Sequence, residues 1–317
     1  MSGGGAGARV LRVLTGCTAV GKTEWALRWA EANGAEIVSC DSLLFYRGLD
    51  LGTAKPSRAD RARVPHHLVD ILEPGDPMNV ARYSGLALRA VEDIAARGRP
   101  ALVVGGSGFY LKSFFSAVAD RWAAPPEIRA RVAGLLGSGG LAAVRAELVR
   151  LNPQGLGTLD VKNPRRVTRA LERCLASGRT IAELAADFAR LPGQFADWRI
   201  EIVRLDRPKP EMDARIEART RAMLESGLVG EVRGLLAAGL RQNPSAAGAI
   251  GYREVIAVLE GRLREAELAG AIAANTRALV KKQRTWFRTQ LPPHRLLHAG
   301  EPAGESELFP AIAQFDR

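Results

Sequence analysis

Eight residues near the start of the chain, GCTAVGKT, match the phosphate-loop pattern G-x-x-x-x-G-K-[ST]. Glycines let backbone N–H groups close around phosphate oxygens, and a helix that begins after them presents its positive dipole end. Lys22 is expected to neutralise the terminal phosphate, and Thr23 is expected to bind Mg²⁺. The alternative is a chance glycine-rich turn. The candidate phosphate-binding residues are Gly16, Cys17, Thr18, Ala19, Val20, Gly21, Lys22 and Thr23.

A carboxylate, Asp41, follows the apolar run at residues 36–40, which is typical of a buried strand. Open α/β sheets bind their ligands at the carboxyl ends of the strands, so Asp41 is expected to face the phosphate loop. Three roles are open: a magnesium ligand, a general base, or a cap of the following segment. The position at a strand end favours the first two.

A second glycine cluster, at residues 105–108, also follows an apolar run. Leu111 occupies the position at which a dinucleotide-binding motif has its third glycine, so a nicotinamide site is disfavoured. The cluster predicts a tight turn that lets another backbone segment or a nucleotide approach closely.

Basic residues recur at helical spacing in two segments of the chain. Like charges on one helix face repel each other, and an anionic partner relieves that repulsion. A solvated surface is the alternative for either stripe, but two stripes favour nucleic acid. The first stripe consists of Arg165, Arg166, Arg169 and Arg173, and the second of Arg277, Lys281, Arg284 and Arg288. Arg215 and Arg219, four apart, are expected to reach the phosphate loop as a clamp on transferred charge.

Apolar runs that alternate with amphipathic segments position these residues. Strands are predicted at 10–14, 36–40, 101–104 and 200–205, and helices at 22–33, 80–97, 211–226, 229–238 and 275–290. Residues 52–56 and 65–70 are predicted to be polar loop segments. The fold class is therefore α/β, a P-loop NTPase-like parallel-sheet core with a helical insertion domain. We predict the core at 1–120 and 199–300, the insertion at 121–198, and a loosely held tail, which begins after Pro292 and includes 301–317.

Composition sets broad limits on the class of protein. The 317 residues carry 45 Lys and Arg against 34 Asp and Glu, a net charge of +11 that favours polyanionic partners. Three widely spaced cysteines predict a reducing compartment and no structural zinc. The sequence predicts a cytoplasmic protein that does not enter a membrane, and we expect a monomer.

Taken together, the motifs resemble the tRNA dimethylallyltransferase family, whose members are also called IPP transferases. The resemblance extends over nearly the whole chain, and the order of the motifs is highly specific. The segments that carry it are, in order, GCTAVGKT, SCDS, YRG, GTAKP, HHLVD, GGS, GYR and KQRTWFR. The departures are Cys17 and Val20, where the family usually has Pro and Ser, and Ser107, where it has Thr. The zinc-finger extension of eukaryotic relatives is absent from the sequence.

The resemblance implies transfer of a dimethylallyl group from dimethylallyl diphosphate to N6 of adenine 37 in tRNA. Asp41 matches the family's catalytic aspartate, and Thr18 and Arg219 match residues that stabilise the departing diphosphate together with Mg²⁺. The adenine is expected to flip out of the anticodon loop into a channel. The residues that match RNA-contacting positions in the anticodon stem-loop complex are Asp41, Ser42, Leu43, Leu44, Ser107, Arg129, Arg165, Arg166, Arg169, Gly251, Lys281, Lys282, Arg284 and Arg288.

Two other classes of function use some of the same residues. A small-molecule or nucleotide kinase would use the phosphate loop, magnesium and the arginine clamp, but it gains nothing from two basic stripes. An RNA-binding regulator that senses a nucleotide would not need Asp41 for turnover.

Overall fold

The computed structural model describes residues 9–118, 124–300 and 308–309. It divides into two compact units, one formed by Met1–Ser116 with Gln194–Arg317 and the other by Ala117–Gly193. The strands are β1 (Val10–Gly16), β2 (Glu36–Ser39), β3 (His66–His67), β4 (Ala101–Gly105), β5 (Arg199–Asp206) and β6 (Arg295–His298). The helices are α1 (Lys22–Ala32), α2 (Arg58–Arg63), α3 (Val80–Ala96), α4 (Gly108–Leu111), α5 (Pro126–Leu151), α6 (Pro164–Ser177), α7 (Ile181–Ala189), α8 (Lys209–Glu225), α9 (Leu228–Ala237), α10 (Pro244–Ala247), α11 (Tyr252–Leu259) and α12 (Leu268–Gln290).

The described part of the larger unit contains one parallel sheet with the strand order β3-β2-β4-β1-β5-β6. Strand β1 lies inside the sheet, and its residues 13–16 are all buried. Because every strand runs in the same direction, the carboxyl ends of β1, β2 and β4 lie at one edge. That edge carries the phosphate loop, Asp41 and the second glycine cluster, as expected for ligand sites in open α/β sheets.

The smaller unit is helical within its described residues and consists of α5, α6 and α7. Its own core contains seven buried residues: Val132, Val144, Leu148, Val167, Leu171, Cys174 and Leu184. Helix α5 is long and apolar enough to cross a membrane by length and composition alone. Gly140 breaks it, with a φ of 64° that is not helical, so two shorter helical pieces result. Each piece is shorter than the roughly 20 residues that a membrane span needs.

Two boundary regions differ from the sequence predictions. Residues 194–198, predicted to belong to the insertion, pack with the larger unit: Phe195 is buried, and its ring centroid lies 4.8 Å from that of Phe114. The loose tail predicted after Pro292 is wrong where the chain is described, because β6 pairs with β5 at the sheet edge. Leu308 and Phe309 are also buried, and the Phe309 ring packs edge-on against Trp29. The rest of the predicted tail, residues 301–307 and 310–317, lies outside the described residues.

Smaller differences concern single elements. His66 and His67, predicted to lie in a polar loop, form β3 and pair with β2. Helix α12 begins at Leu268, earlier than the predicted residue 275. The sequence analysis missed four short helices, α2, α4, α10 and α11. Helix α11 does carry apolar residues at helical spacing, at Tyr252, Val255, Ile256 and Leu259, but it is only eight residues long.

Candidate active site

The loop between β1 and α1 is a tight turn that requires glycine at both of its glycine positions, for two different reasons. A Cβ at Gly16 would lie 2.6 Å from the carbonyl oxygen of Leu205. Gly21 has a φ of 108°, a left-handed conformation that favours glycine, and it immediately precedes α1. Lys22 Nζ donates hydrogen bonds to the carbonyl oxygens of Gly16 (3.0 Å) and Cys17 (2.9 Å). The loop therefore holds the Lys22 ammonium group with two of its three donors.

Asp41 lies just beyond the end of β2, beside the phosphate loop. Its Oδ1 accepts a hydrogen bond from the backbone N–H of Leu43 at 3.0 Å. The backbone N–H of Ser42, which lies between them, donates to Ser107 Oγ at 3.2 Å. These bonds fix the turn after β2 against the loop after β4. A carboxylate held this way keeps one oxygen available toward the cavities that Asp41 lines.

The second glycine cluster forms the close turn that its sequence predicts. A Cβ at Gly105 would overlap the carbonyl group of Cys40, and one at Gly106 would lie 2.7 Å from the carbonyl oxygen of Gly16. The ends of β1, β2 and β4 therefore touch through backbone atoms. This contact brings the phosphate loop and Asp41 to the same place.

Helix α8 brings two arginines to the same edge of the sheet. Arg215 Nε donates to the carbonyl oxygen of Ala19 at 2.8 Å, and Arg219 Nη2 donates to that of Thr53 at 3.1 Å. Burial lowers the pKa of Arg219, and the negative charge of Asp41 opposes this effect. A guanidinium stays protonated in spite of such a shift, so Arg219 is a fixed positive charge next to Asp41.

Two cavities meet at these residues. One, of about 570 Å³, is lined by Gly21, Lys22, Thr23 and Arg215, and we call it the phosphate cavity. The other, of about 480 Å³, is lined by residues that include Ser107, Gly251 and Lys282, and we call it the acceptor cavity. The residues that line both cavities are Thr18, Asp41, Thr53 and Arg219. We call these four residues the neck.

The electrostatic environment of the phosphate cavity depends on Lys22. Burial lowers the pKa of Lys22 from its ordinary value to about 8, and the charge of Asp41 counteracts part of that effect. The ammonium group is therefore charged at neutral pH but easily deprotonated above it. Bound phosphate groups would stabilise the charged form.

The residues predicted to contact RNA lie in four places. Ser42, Leu43, Ser107, Gly251 and Lys282 line the acceptor cavity with Asp41, whereas Leu44 lines the phosphate cavity. Lys281, Arg284 and Arg288 line a third cavity on α12. Arg129, Arg165, Arg166 and Arg169 are exposed on the smaller unit.

Not every cation of the α12 stripe is available to a ligand. Arg284 Nη2 donates to Asp206 Oδ1 (3.1 Å) and to the carbonyl oxygen of Arg207 (2.7 Å), so it stabilises the core. Arg277 forms ion pairs with Asp213 and Glu217. The side chains of Lys281 and Arg288 are exposed. The helical spacing predicts the stripe correctly but cannot show which of its members are paired.

Two supporting side chains escaped the sequence analysis. Glu231 accepts the backbone N–H groups of Asp50 (3.2 Å) and Leu51 (2.7 Å) and the hydroxyl of Tyr252 (2.8 Å), which fixes the loop that carries Thr53. Gln283 bonds directly to the phosphate loop at Thr18. Gln283 lies in the KQRTWFR segment that carries the family resemblance, but its spacing does not show that it contacts the phosphate loop. Glu231 lies in no such segment, and both residues act on loops distant in sequence.

The described residues contain no group of three or more His, Cys, Asp or Glu side chains arranged to hold a metal ion. The oxygen-bearing side chains on the wall of the phosphate cavity include the Thr23 hydroxyl and the Asp41 carboxylate. Hydroxyl and carboxylate oxygens are ligands that Mg²⁺ accepts, usually one or two of them together with substrate phosphates.

Fold and site together define the class of protein: an enzyme with a P-loop-like parallel sheet. In it the phosphate loop and the carboxylate of Asp41 lie on the walls of the same cavity. The IPP transferase family model matches residues 44–290, and the chain belongs to this family. It is similar to the tRNA dimethylallyltransferase of Opitutus terrae, 65% identical over 299 residues that cover 94% of this chain and 96% of that protein. It is also similar to that of Rhodococcus jostii, 41% identical over 284 residues that cover 89% of each chain.

Solved structures show the same likeness. The full-length tRNA isopentenylpyrophosphate transferase of Bacillus halodurans is 30% identical, with a TM-score of 0.66 over 92% of this chain and 90% of that one. A eukaryotic dimethylallyltransferase acting on tRNA is 24% identical, with a TM-score of 0.78 over 92% of this chain and 74% of that one. At that identity the second comparison shows the shared fold.

Proposed function

We propose that this protein transfers the dimethylallyl group of dimethylallyl diphosphate to N6 of adenine 37 in tRNA, next to the anticodon. The observation that carries the proposal is the neck, where a phosphate cavity and a second cavity share Thr18, Asp41, Thr53 and Arg219. A transfer between two substrates that bind in separate cavities needs such a meeting point. The names of the similar proteins support the same reaction.

In this proposal the diphosphate of the donor occupies the phosphate cavity. Lys22 and Arg215 supply positive charge there, and the start of α1 supplies the positive end of a helix dipole. The Thr23 hydroxyl is the proposed protein ligand of Mg²⁺, which would neutralise part of the diphosphate charge when bound. The dimethylallyl group would then lie at the neck.

Adenine 37 enters from the acceptor cavity. A base stacked in an anticodon loop cannot reach the neck, so it must flip out of the loop first. The cavity wall combines backbone and polar groups, such as Ser107 and Lys282, with apolar side chains, such as Ile250 and Leu279. We assign Lys281, Arg288 and the exposed arginines of the smaller unit to the anticodon stem-loop, because phosphate contacts of this kind position RNA.

The chemistry follows from the two charges at the neck. The adenine amine is a poor nucleophile because its lone pair is delocalised into the ring. As N6 bonds to C1 of the dimethylallyl group, the bond from C1 to the diphosphate oxygen breaks, and an N6 proton passes to the carboxylate of Asp41. Thr18 and Arg219 stabilise the negative charge that develops on the departing diphosphate.

Label transfer tests this assignment. The purified protein is incubated with labelled dimethylallyl diphosphate, Mg²⁺ and tRNA that contains adenine 37, and label is expected in the RNA. The matched control is the same tRNA with guanosine at position 37, which should take up no label. Phosphorylation of a small molecule by ATP would instead favour the kinase. RNA binding without any turnover would favour a regulator.

A further inference from the structure

The side chain of Gln283 joins helix α12 to two loops of the active site. Its carboxamide oxygen accepts the backbone N–H of Thr18 at 2.9 Å, and its amide nitrogen donates to the carbonyl oxygen of Gly106 at 2.9 Å. Thr18 lies 265 residues earlier in the chain. One half-buried amide therefore connects the loops after β1 and β4 to the basic helix.

The chemistry of the bridge requires an amide. Its acceptor faces an N–H group and its donor faces a carbonyl group, and a carboxamide offers both. The fit is tight, since a Cβ at Gly106 would lie 3.0 Å from Gln283 Nε2 and 2.7 Å from the carbonyl oxygen of Gly16. The three segments therefore hold Gln283 in one orientation.

The bridge also determines which atoms of Thr18 can bind a ligand. Its main-chain N–H donates a hydrogen bond to Gln283. In a phosphate-binding loop the backbone N–H groups usually donate to phosphate oxygens, and this one is already used. Thr18 nevertheless lines both cavities at the neck. The side-chain hydroxyl is then the group of Thr18 that can meet a phosphate oxygen.

We propose that Gln283 is a positioning residue that holds the Thr18 backbone so that the Thr18 hydroxyl contacts the departing diphosphate. This inference rests on the proposed function. It assigns the contact with the leaving group to the Thr18 hydroxyl and the positioning of that hydroxyl to Gln283. Displacing a reacting group by about 1 Å can lower a rate by about a hundredfold. Loss of the bridge is therefore expected to lower kcat by about tenfold to a hundredfold, with little change in tRNA affinity.

A double-mutant cycle tests the pathway through Thr18. Gln283→Met keeps the side-chain length and removes both hydrogen bonds, and Gln290→Met at the exposed end of the same helix is the control. The Gln283→Met penalty on kcat should persist in a Thr18→Ser background, which keeps the hydroxyl. It should nearly vanish in a Thr18→Ala background, because residues that act through one group are not additive. Equal penalties in both backgrounds would show a general structural role and overturn the proposal.

A second measurement uses the wild-type protein and inorganic diphosphate, so it needs neither a folded variant nor turnover. Amide hydrogen exchange resolved at Thr18 should be slow before diphosphate is added and should change little afterwards, while amides nearer the start of α1 become protected. Protection of Thr18 that arises only with diphosphate would overturn the inference. Wild-type label transfer into tRNA tests the proposed function separately, so the two failures are distinguishable.

Discussion

Replacing Asp41 by Asn removes the proposed base with little change in shape. The Asp41 oxygen that accepts the Leu43 N–H at 3.0 Å has an equivalent in the Asn carboxamide. The adjacent bond between Ser42 N–H and Ser107 Oγ does not involve the Asp41 side chain. The turn after β2 should therefore survive, and the variant should lose the negative charge and the proton acceptor.

The size of the effect follows from the role. A positioned general base contributes about 10² to 10⁴ in rate, which corresponds to about 3 to 5 kcal/mol of transition-state stabilisation. The substitution also removes the charge that opposes the lowering of the Lys22 pKa, so that pKa should fall below about 8. Bound diphosphate would stabilise the charged form of Lys22, so rates measured with saturating donor isolate the loss of the base.

Single-turnover label transfer with enzyme in excess over tRNA measures the chemical step without product release. We expect the Asp41→Asn rate to fall at least about a hundredfold, while tRNA affinity, measured by fluorescence anisotropy, stays within about threefold. Asp93→Asn, at an exposed position on α3, is the matched control and should leave both quantities unchanged. A transfer rate within about threefold of wild type would refute the assignment of Asp41 as the base.

Three further predictions concern charge and packing. The proposed donor binding needs the Lys22 cation, which is present below its pKa of about 8 and lost above it. The value of kcat/KM for dimethylallyl diphosphate should therefore decline above about pH 8. A flat profile up to about pH 10 would contradict this. Lys281→Ala should weaken tRNA binding and reduce the salt dependence of the binding constant, the slope of log K against log salt, by about one. Arg284→Ala breaks an ion pair with the core and should mainly lower the melting temperature. A larger loss of tRNA binding in Arg284→Ala than in Lys281→Ala would place Arg284 on the RNA. Gly105→Ala should lower the free energy of unfolding, measured by urea titration, by about 3 kcal/mol or more. Gly234→Ala is the control: this glycine lies in a helix with open space around it, so the substitution should not destabilise the fold. Equal effects of the two substitutions would contradict the close contact between the strand ends.

Sequence reasoning succeeded where the information is local. A strand, a glycine-rich loop and a helix follow one another within about twenty residues, so the phosphate loop and its elements could be predicted from spacing alone. The strand-end position of Asp41 is likewise a local feature, since parallel strands bring their carboxyl ends to one edge. The two arginines of α8 could be predicted to lie near the loop once the returning strand was recognised.

The remaining features depend on contacts between distant segments. Gln283 and Glu231 act on loops far away in sequence. The KQRTWFR segment marks the neighbourhood of Gln283 as one that resembles the family, but neither neighbourhood shows which loop the side chain contacts. Strand β6 is a short edge strand whose residues are mostly exposed, so it lacks the apolar run that marks β1 or β4. Residues 194–198 join the core through Phe195, and such a packing partner leaves no mark on the local sequence.

The proposed base, Asp41, and the proposed leaving-group cation, Arg219, both line the neck, and the proposed reaction gives a reason for this arrangement. Arg219 is half-buried and lines the same two cavities as Asp41, whose charge favours the protonated guanidinium before the reaction. In the proposed transfer the carboxylate becomes neutral as it accepts the N6 proton, while negative charge grows on the departing diphosphate. Arg219 would therefore exchange one anionic neighbour for another without moving, so the surrounding protein needs little electrostatic reorganisation. A carboxylate far from this arginine could still accept the proton, but each step would then leave an uncompensated buried charge.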